Sequence, residues 1–141
     1  MVAAAVEGVP GLEASRIEID RGGPSYTVDT VEQLRAASIA NGEPPPELFV
    51  IVGADLVESL PTWERVGELA ALVTLAVVSR PRSPGPTVPP GWRAEIVESP
   101  GIDVSSSEVR VRLAEGRSVE GLVPDAVVHC IRQRDLYAVG R

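Results

Sequence analysis

The chain has 141 residues, 44% of them hydrophobic and 23% charged, with a formal net charge of −7. That is enough for one ordinary domain with its own buried core, so residues 1–141 are taken as a single domain. The acidic balance disfavours non-specific binding to nucleic acid or an anionic membrane; it leaves a small anionic ligand open, and a homo-oligomer too.

The opening "MVAAAVEGVPGLEA" reads as the tail of a helix over residues 2–7 and then a turn. It has no basic flank, and Glu7 and Pro10 come too early for a spanning or secretory segment, so a cytoplasmic protein is expected. In "RIEID" (16–20) the alternation places Ile17 and Ile19 on one side and predicts a strand. A helix is predicted from about Thr27 to Ala40, with Val28, Val31 and Leu34 on one face and Asn41-Gly42 as its stop. After the stiff "EPPPE" loop, "LFVIV" (48–52) is apolar without alternation, as for a strand covered by helices on both faces of a parallel sheet. Gly53-Ala54-Asp55 leave its carboxyl end.

A short helix from Leu56, interrupted near Pro61, and a second through "WERVGELA" lead to another buried strand, "VTLAVVS" (73–79). The proline- and glycine-rich "RPRSPGPTVPPG" (80–91) reads as a surface or active-site loop, and "AEIVES" (94–99) as a further strand. Residues 105–115 and about 124–134 read as closing helices, the second with Pro124 in its first turn and Val127, Val128 and Ile131 inward. The one cysteine, Cys130, excludes an intrachain disulfide and reads as a small core filler. Strands alternating with helices imply an α/β fold with a parallel sheet and right-handed crossovers. Ligands of such sheets bind outside the carboxyl ends of the strands. Gly53-Ala54-Asp55, Ser79-Arg80 and the loop leading into the serines at 105–107 are thus expected to converge on one edge.

Several segments there could carry chemistry. All 13 cations are arginine and none is lysine, which rules out Schiff-base chemistry and a P-loop lysine, while guanidinium forks suit phosphate. In "VSSSEVRVRL" (104–113), Ser105 and Glu108 form an S-x-x-E capping box that leaves Ser106, Ser107 and Arg110 without a role. The same hydroxyls at a helix N-terminus, with an arginine one turn on, equally make a phosphate cradle. In "GPSYTVDT" (23–30), Ser25 or Thr27 could cap a helix with Asp29 near its positive end, yet capping does not account for the aromatic ring of Tyr26 at the helix mouth. Asp55 could accept from ribose hydroxyls or cap the next helix; Trp63 could stack on a planar ring or fill the core.

Together, "GPSYTVDTVEQLR", "IVGADLVESLPTWERVGEL", "VSRP" and "VSSSEVRVRLAEGRSVEGLVPDAVVHCIRQRDLY" resemble the bacterial nicotinate-nucleotide adenylyltransferases in order and spacing, from about Arg16 to Tyr137. The resemblance implies a Rossmann-like nucleotidyltransferase fold and transfer of AMP from ATP to nicotinate mononucleotide, with Mg2+ assistance. It implies that Tyr26, Thr27, Asp29 and Trp63 bind the acceptor, with Trp63 as stacking partner. Gly53 and Asp55 would meet the adenosine and ribose, and Ser105, Ser106 and Arg110 the ATP phosphates. The family's I-S-S-T stands here as Val104-Ser105-Ser106-Ser107, which keeps every hydroxyl. Members of the family open with a G-x-F-D-P-x-H-x-G-H segment that is not in this sequence, whose single histidine, His129, falls in the last helix and reads as facing solvent or a neighbouring element. The expectation is therefore an N-terminally shortened member, with a non-catalytic nucleotide-binding module, or a relative acting on nicotinamide mononucleotide, as the alternatives.

Overall fold

The computed structural model describes residues 1–79, 87–98 and 104–137. In chain order its elements are α1 (Val2–Val6), α2 (Ile17–Arg21), α3 (Thr27–Ala40), β1 (Leu48–Gly53), a 3-10 helix (Ala54–Thr62), α4 (Val66–Leu72), β2 (Val73–Ser79), β3 (Arg93–Glu98), α5 (Ser106–Ala114) and α6 (Asp125–Gln133). They fall into two compact units: α2 to β3 in one, and α1 with α5 and α6 in the other.

The first unit is built on a parallel sheet in the order β1-β2-β3. Leu48 lies beside Val73 and Gly53 beside Val78; across the next pair Thr74 meets Arg93 and Ser79 meets Glu98. The carboxyl ends of all three strands therefore share one edge of the sheet. Side chains alternate along a strand, so Leu48, Val50 and Val52 share a face with Val73, Leu75 and Val77 of β2. Val52, Val57, Leu60, Leu75 and Val77 form one buried cluster. Val28, Val31, Leu69 and Val73 form a second, and Val50, Trp63 and Trp92 pack against both. Val28 and Val31, one helical turn apart, are the buried stripe of α3.

Three expectations are corrected here. The run "LFVIV" does not mark a strand covered on both faces: burial along β1 alternates, and Phe49 and Ile51 on the opposite face are exposed, Ile51 by 75%. α3, α4 and the 3-10 helix all pack on the Val50 and Val52 face, a choice that an apolar run does not encode. Residues 16–20 do not form a strand: Ile17–Arg21 are helix α2, followed by Gly22 and Gly23 at φ +69 and +71. Five residues fit either periodicity, and side-chain bonds to α3 hold the helical form: Arg21 donates to Thr30 (2.8 Å) and Gln33 (3.2 Å), and Thr30 donates to Glu18 (2.8 Å). Leu34, expected on the inner face of α3, is exposed.

The helix expected through "WERVGELA" also begins later, at Val66, because Trp63 is extended and Arg65 left-handed; the other local signals are closer to what is seen. α3 spans its predicted limits, with Asn41 as C-cap and Gly42 at φ +78. The helix expected from Leu56 begins at Ala54 as a 3-10 helix and runs past Pro61 to Thr62; Ser59 and Thr62 hydroxyls donate to the carbonyls three residues back, both at 2.7 Å. Of the expected 80–91 loop, residues 80–86 lie outside the described residues, as does Ser99 of the third strand. In the second unit Val119, Val127, Val128 and Ile131 are buried, Pro124 serves as N-cap of α6, and His129 is exposed. Among the described residues no helix is long and apolar enough to cross a membrane.

Candidate functional site

Tyr26, not Ser25 or Thr27, is the N-cap residue of α3, and no side chain caps this helix. The ring of Tyr26 cannot reach back to the first-turn N–H groups as a short hydroxyl can. The Tyr26 carbonyl accepts from Asp29 and Thr30, so the helix is properly started without a side-chain cap; Val28 is fully buried, and Thr27 is the first-turn residue that lines the space beside it. Opposite lies the end of the 3-10 helix, with Trp63 as its C-cap residue. Ser25, Tyr26 and Thr27 on one side and Thr62, Trp63 and Glu64 on the other line an open cavity of about 250 Å³. Drug-sized sites run from about 300 to 1,000 Å³, so this space suits a single ring with a polar substituent, not a whole nucleotide. Trp63 is half-buried and packs on both core clusters while lining the cavity, so core filling and ring stacking are compatible roles.

Asp29 does not line that cavity. Its carboxylate is engaged by Arg65, whose Nη2 stands 3.0 Å from Oδ1, and Arg21 Nη1 approaches Oδ2 at 4.0 Å. Arg65 also donates to Glu32 at 2.6 and 3.3 Å and to Glu68 at 3.4 Å. The hydrogen bond from Arg65, helped by its charge, holds Glu32 below the usual carboxylate value, and the reciprocal bond raises Arg65. Arg65 adopts the left-handed backbone conformation, φ +46 and ψ +43, as N-cap of α4.

At the carboxyl end of β1, Gly53 is the N-cap of the 3-10 helix and Asp55 lies inside its first turn, so Asp55 is not the cap. Asp55 is exposed, and its carboxylate folds back so that a Cβ at Gly53 would strike it. The φ of Gly53, −69, is open to any residue, and the Asp55 carboxylate is the end of an exposed side chain that could turn aside. Arg80, expected at the same edge, lies outside the described residues.

In the helical unit Ser105 is the N-cap of α5 and accepts from the Glu108 N–H at 3.1 Å. The Glu108 carboxylate stands 3.9 Å from Arg112. Ser106 and Arg110 come together, Arg110 Nε donating to the Ser106 carbonyl at 3.1 Å, and both line a cavity of about 390 Å³ with Val104, Val109 and Val127. Of the expected capping box the Ser105 half is seen, while the Glu108 carboxylate lies toward Arg112; Ser105 thus serves the helix while the side chains of Ser106 and Arg110 are exposed. Among the described residues no three His, Cys, Asp or Glu side chains gather as a metal ligand set.

A family model described as "Cytidylyltransferase-like" matches residues 1–112. A protein of Acidothermus cellulolyticus named "Probable nicotinate-nucleotide adenylyltransferase" is 40% identical over 139 residues, covering 97% of this chain and 67% of its own length. One of Streptomyces coelicolor with the same name is 43% identical over 140 residues, covering 96% and 70%. The chain belongs to the nicotinate-nucleotide adenylyltransferase family. It spans about two thirds of the length of these curated relatives. A solved structure of Plasmodium falciparum nicotinic acid mononucleotide adenylyltransferase, complexed with APC, superposes with a TM-score of 0.61 over 82% of this chain and 60% of that one, at 14% identity. That likeness gives the fold, a Rossmann-like nucleotidyltransferase.

Of the residues lining the cavity beside α3, the sequence singles out Ser25, Tyr26, Thr27 and Trp63 but not Thr62 or Glu64, nor the neighbouring Arg65. Thr62 and Glu64 flank the recognised Trp63, and adjacency alone would have found them. Arg65 carries no local signal, because its partners Asp29 and Glu32 lie 36 and 33 residues away.

Proposed function

We propose that this chain binds nicotinate mononucleotide and ATP and transfers AMP between them, forming deamido-NAD and pyrophosphate in the cytoplasm. A phosphate oxygen of the acceptor bonds to the α-phosphorus of ATP as the bond to the leaving pyrophosphate breaks. The observation that carries this reading is the cavity between Trp63 and the uncapped start of α3. A pyridine ring would pack against Trp63, and its carboxylate would lie beside Thr27 at the positive end of the α3 dipole. Nicotinate meets that requirement through its charge; nicotinamide is neutral. Thr27 and Ser25 supply hydroxyls at the same mouth, and Tyr26 a second ring.

Gly53 and Asp55 are assigned to the adenosine, and Ser105, Ser106 and Arg110 to the phosphates. An exposed arginine beside helix-start hydroxyls is suited to a chain of phosphate oxygens. Mg2+ would arrive on the ATP phosphates, which is its usual mode, with one or two carboxylates at most from protein. It would neutralise phosphate charge; acceptor positioning falls to this chain's own residues.

The test is titration of the purified 141-residue chain with nicotinate mononucleotide, nicotinamide mononucleotide and ATP, followed by a pyrophosphate-release assay. A preference for nicotinate of about tenfold is expected from a helix-terminus contribution of roughly 1–2 kcal/mol. Binding of both substrates without pyrophosphate release would make the chain a non-catalytic nucleotide-binding module. Failure to bind either mononucleotide would refute the acceptor assignment.

A further inference from the structure

The two walls of the acceptor cavity come from distant parts of the chain, Ser25 to Thr27 and Thr62 to Glu64. The residue directly after the second wall is Arg65, and it reaches back to the helix that begins with the first. Its guanidinium meets Asp29 Oδ1 at 3.0 Å and both oxygens of Glu32 at 2.6 and 3.3 Å. Both acids lie on α3, a turn apart, just beyond the cavity. Asp29 also faces the guanidinium of Arg21 from α2, at 4.0 Å.

The backbone at Arg65 makes the side chain's role plain. At φ +46 any residue with a Cβ is disfavoured, and glycine or asparagine serves such a position better. An arginine stands where its backbone is costly and its guanidinium finds three carboxylates, those of Asp29, Glu32 and Glu68. A planar fork offering several donors at once fits this arrangement as a lysine point charge does less well.

We propose that Arg65 is the positioning residue of the acceptor cavity: by clasping Asp29 and Glu32 it holds the Thr62–Trp63–Glu64 segment in place opposite the start of α3. This rests on the acceptor reading of the cavity. Asp29, which the family resemblance places among the acceptor-binding residues, acts through this clasp and not by touching the ring. When the clasp is released the segment spends only part of its time in place, and the apparent dissociation constant rises by the inverse of that fraction.

The experiment uses the full chain with Arg65→Asn, which suits the left-handed backbone while removing the charge, and Arg65→Lys, which keeps the charge. Nicotinate mononucleotide and ATP are titrated by calorimetry. Acrylamide quenching of tryptophan fluorescence reads the segment without ligand, a Trp63→Phe chain giving the contribution of Trp92. With the segment in place a tenth to a fifth of the time, Arg65→Asn should weaken nicotinate mononucleotide by about five- to tenfold, leave ATP within about twofold and raise the quenching of Trp63. Arg65→Lys should recover a large part of both changes. Unchanged quenching and unchanged acceptor affinity in Arg65→Asn overturn the proposal, as does an equal loss for both ligands with a lowered melting temperature. If the parent chain binds no nicotinate mononucleotide, the acceptor reading falls, and the quenching comparison alone decides whether Arg65 holds the segment.

Discussion

Replacing Trp63 separates its two roles because they respond to different substitutions. The side chain packs on the Val52–Leu60–Leu75 cluster and on the Val28–Leu69–Val73 cluster while remaining half-buried. Complete truncation of a buried Trp costs about 3–5 kcal/mol, so partial exposure places Trp63→Ala at about 2–3 kcal/mol. At roughly 2–4 °C per kcal/mol for a chain of this size, its melting temperature should fall by about 4–12 °C. Trp63→Phe keeps a ring of smaller volume and should cost less than about 1.5 kcal/mol. Ring stacking contributes about 0.5–1.5 kcal/mol beyond area burial, so Trp63→Ala should weaken nicotinate mononucleotide by about threefold to tenfold. Trp63→Phe should preserve most of that affinity. The assays are thermal unfolding and calorimetric titration of each substrate, with titrations run well below the melting point of the weakest variant. Equal losses for ATP and nicotinate mononucleotide in Trp63→Ala would refute the role given to this ring, and an unchanged melting temperature would refute its place between the two clusters.

Arg110→Ala should weaken ATP more than the mononucleotide, the mirror of Trp63→Ala, and calorimetric titration of both ligands checks it. Ser105→Ala removes the acceptor of the Glu108 N–H and should cost about 1 kcal/mol, while Ser105→Asp, also a good cap, should hold stability; denaturant unfolding distinguishes them. For Glu32, whose folded-state pKa is lowered chiefly by its hydrogen bond from Arg65, the stabilisation is present above the usual value of 4.5 and lost as pH falls through the folded value. The melting-temperature advantage of the parent chain over Glu32→Gln should therefore be flat above that pH and shrink below it. Asp29, Glu68 and Arg21 share the cluster, and a gap that widened on acidification would contradict the assignment.

How much was legible depended on how local the signal was. α3, β1, β2, α5 and α6 could be read because each carries a long periodic or apolar run with a stop or cap beside it, such as Asn41-Gly42 or Ser105 with Glu108. Tyr26, Thr27 and Trp63 were legible as motifs. Residues 16–20 misled because five residues fit a strand or a helix, and the choice is made by Arg21 and Glu18 reaching Thr30 and Gln33 on α3. Capping of α3 by Ser25 or Thr27 was also a local expectation, and the chain instead puts Tyr26 at that position.

By itself, then, the sequence determined where the longer elements α3, β1, β2, α5 and α6 form, since propensity, caps and periodicity act within a few residues. Only the tertiary structure decided which face of the sheet is packed, that Trp63 meets the start of α3 and that Asp29 belongs to Arg65. Those outcomes depend on segments more than thirty residues apart being brought together by burial of Val28, Val31, Leu69 and Val73 in one cluster.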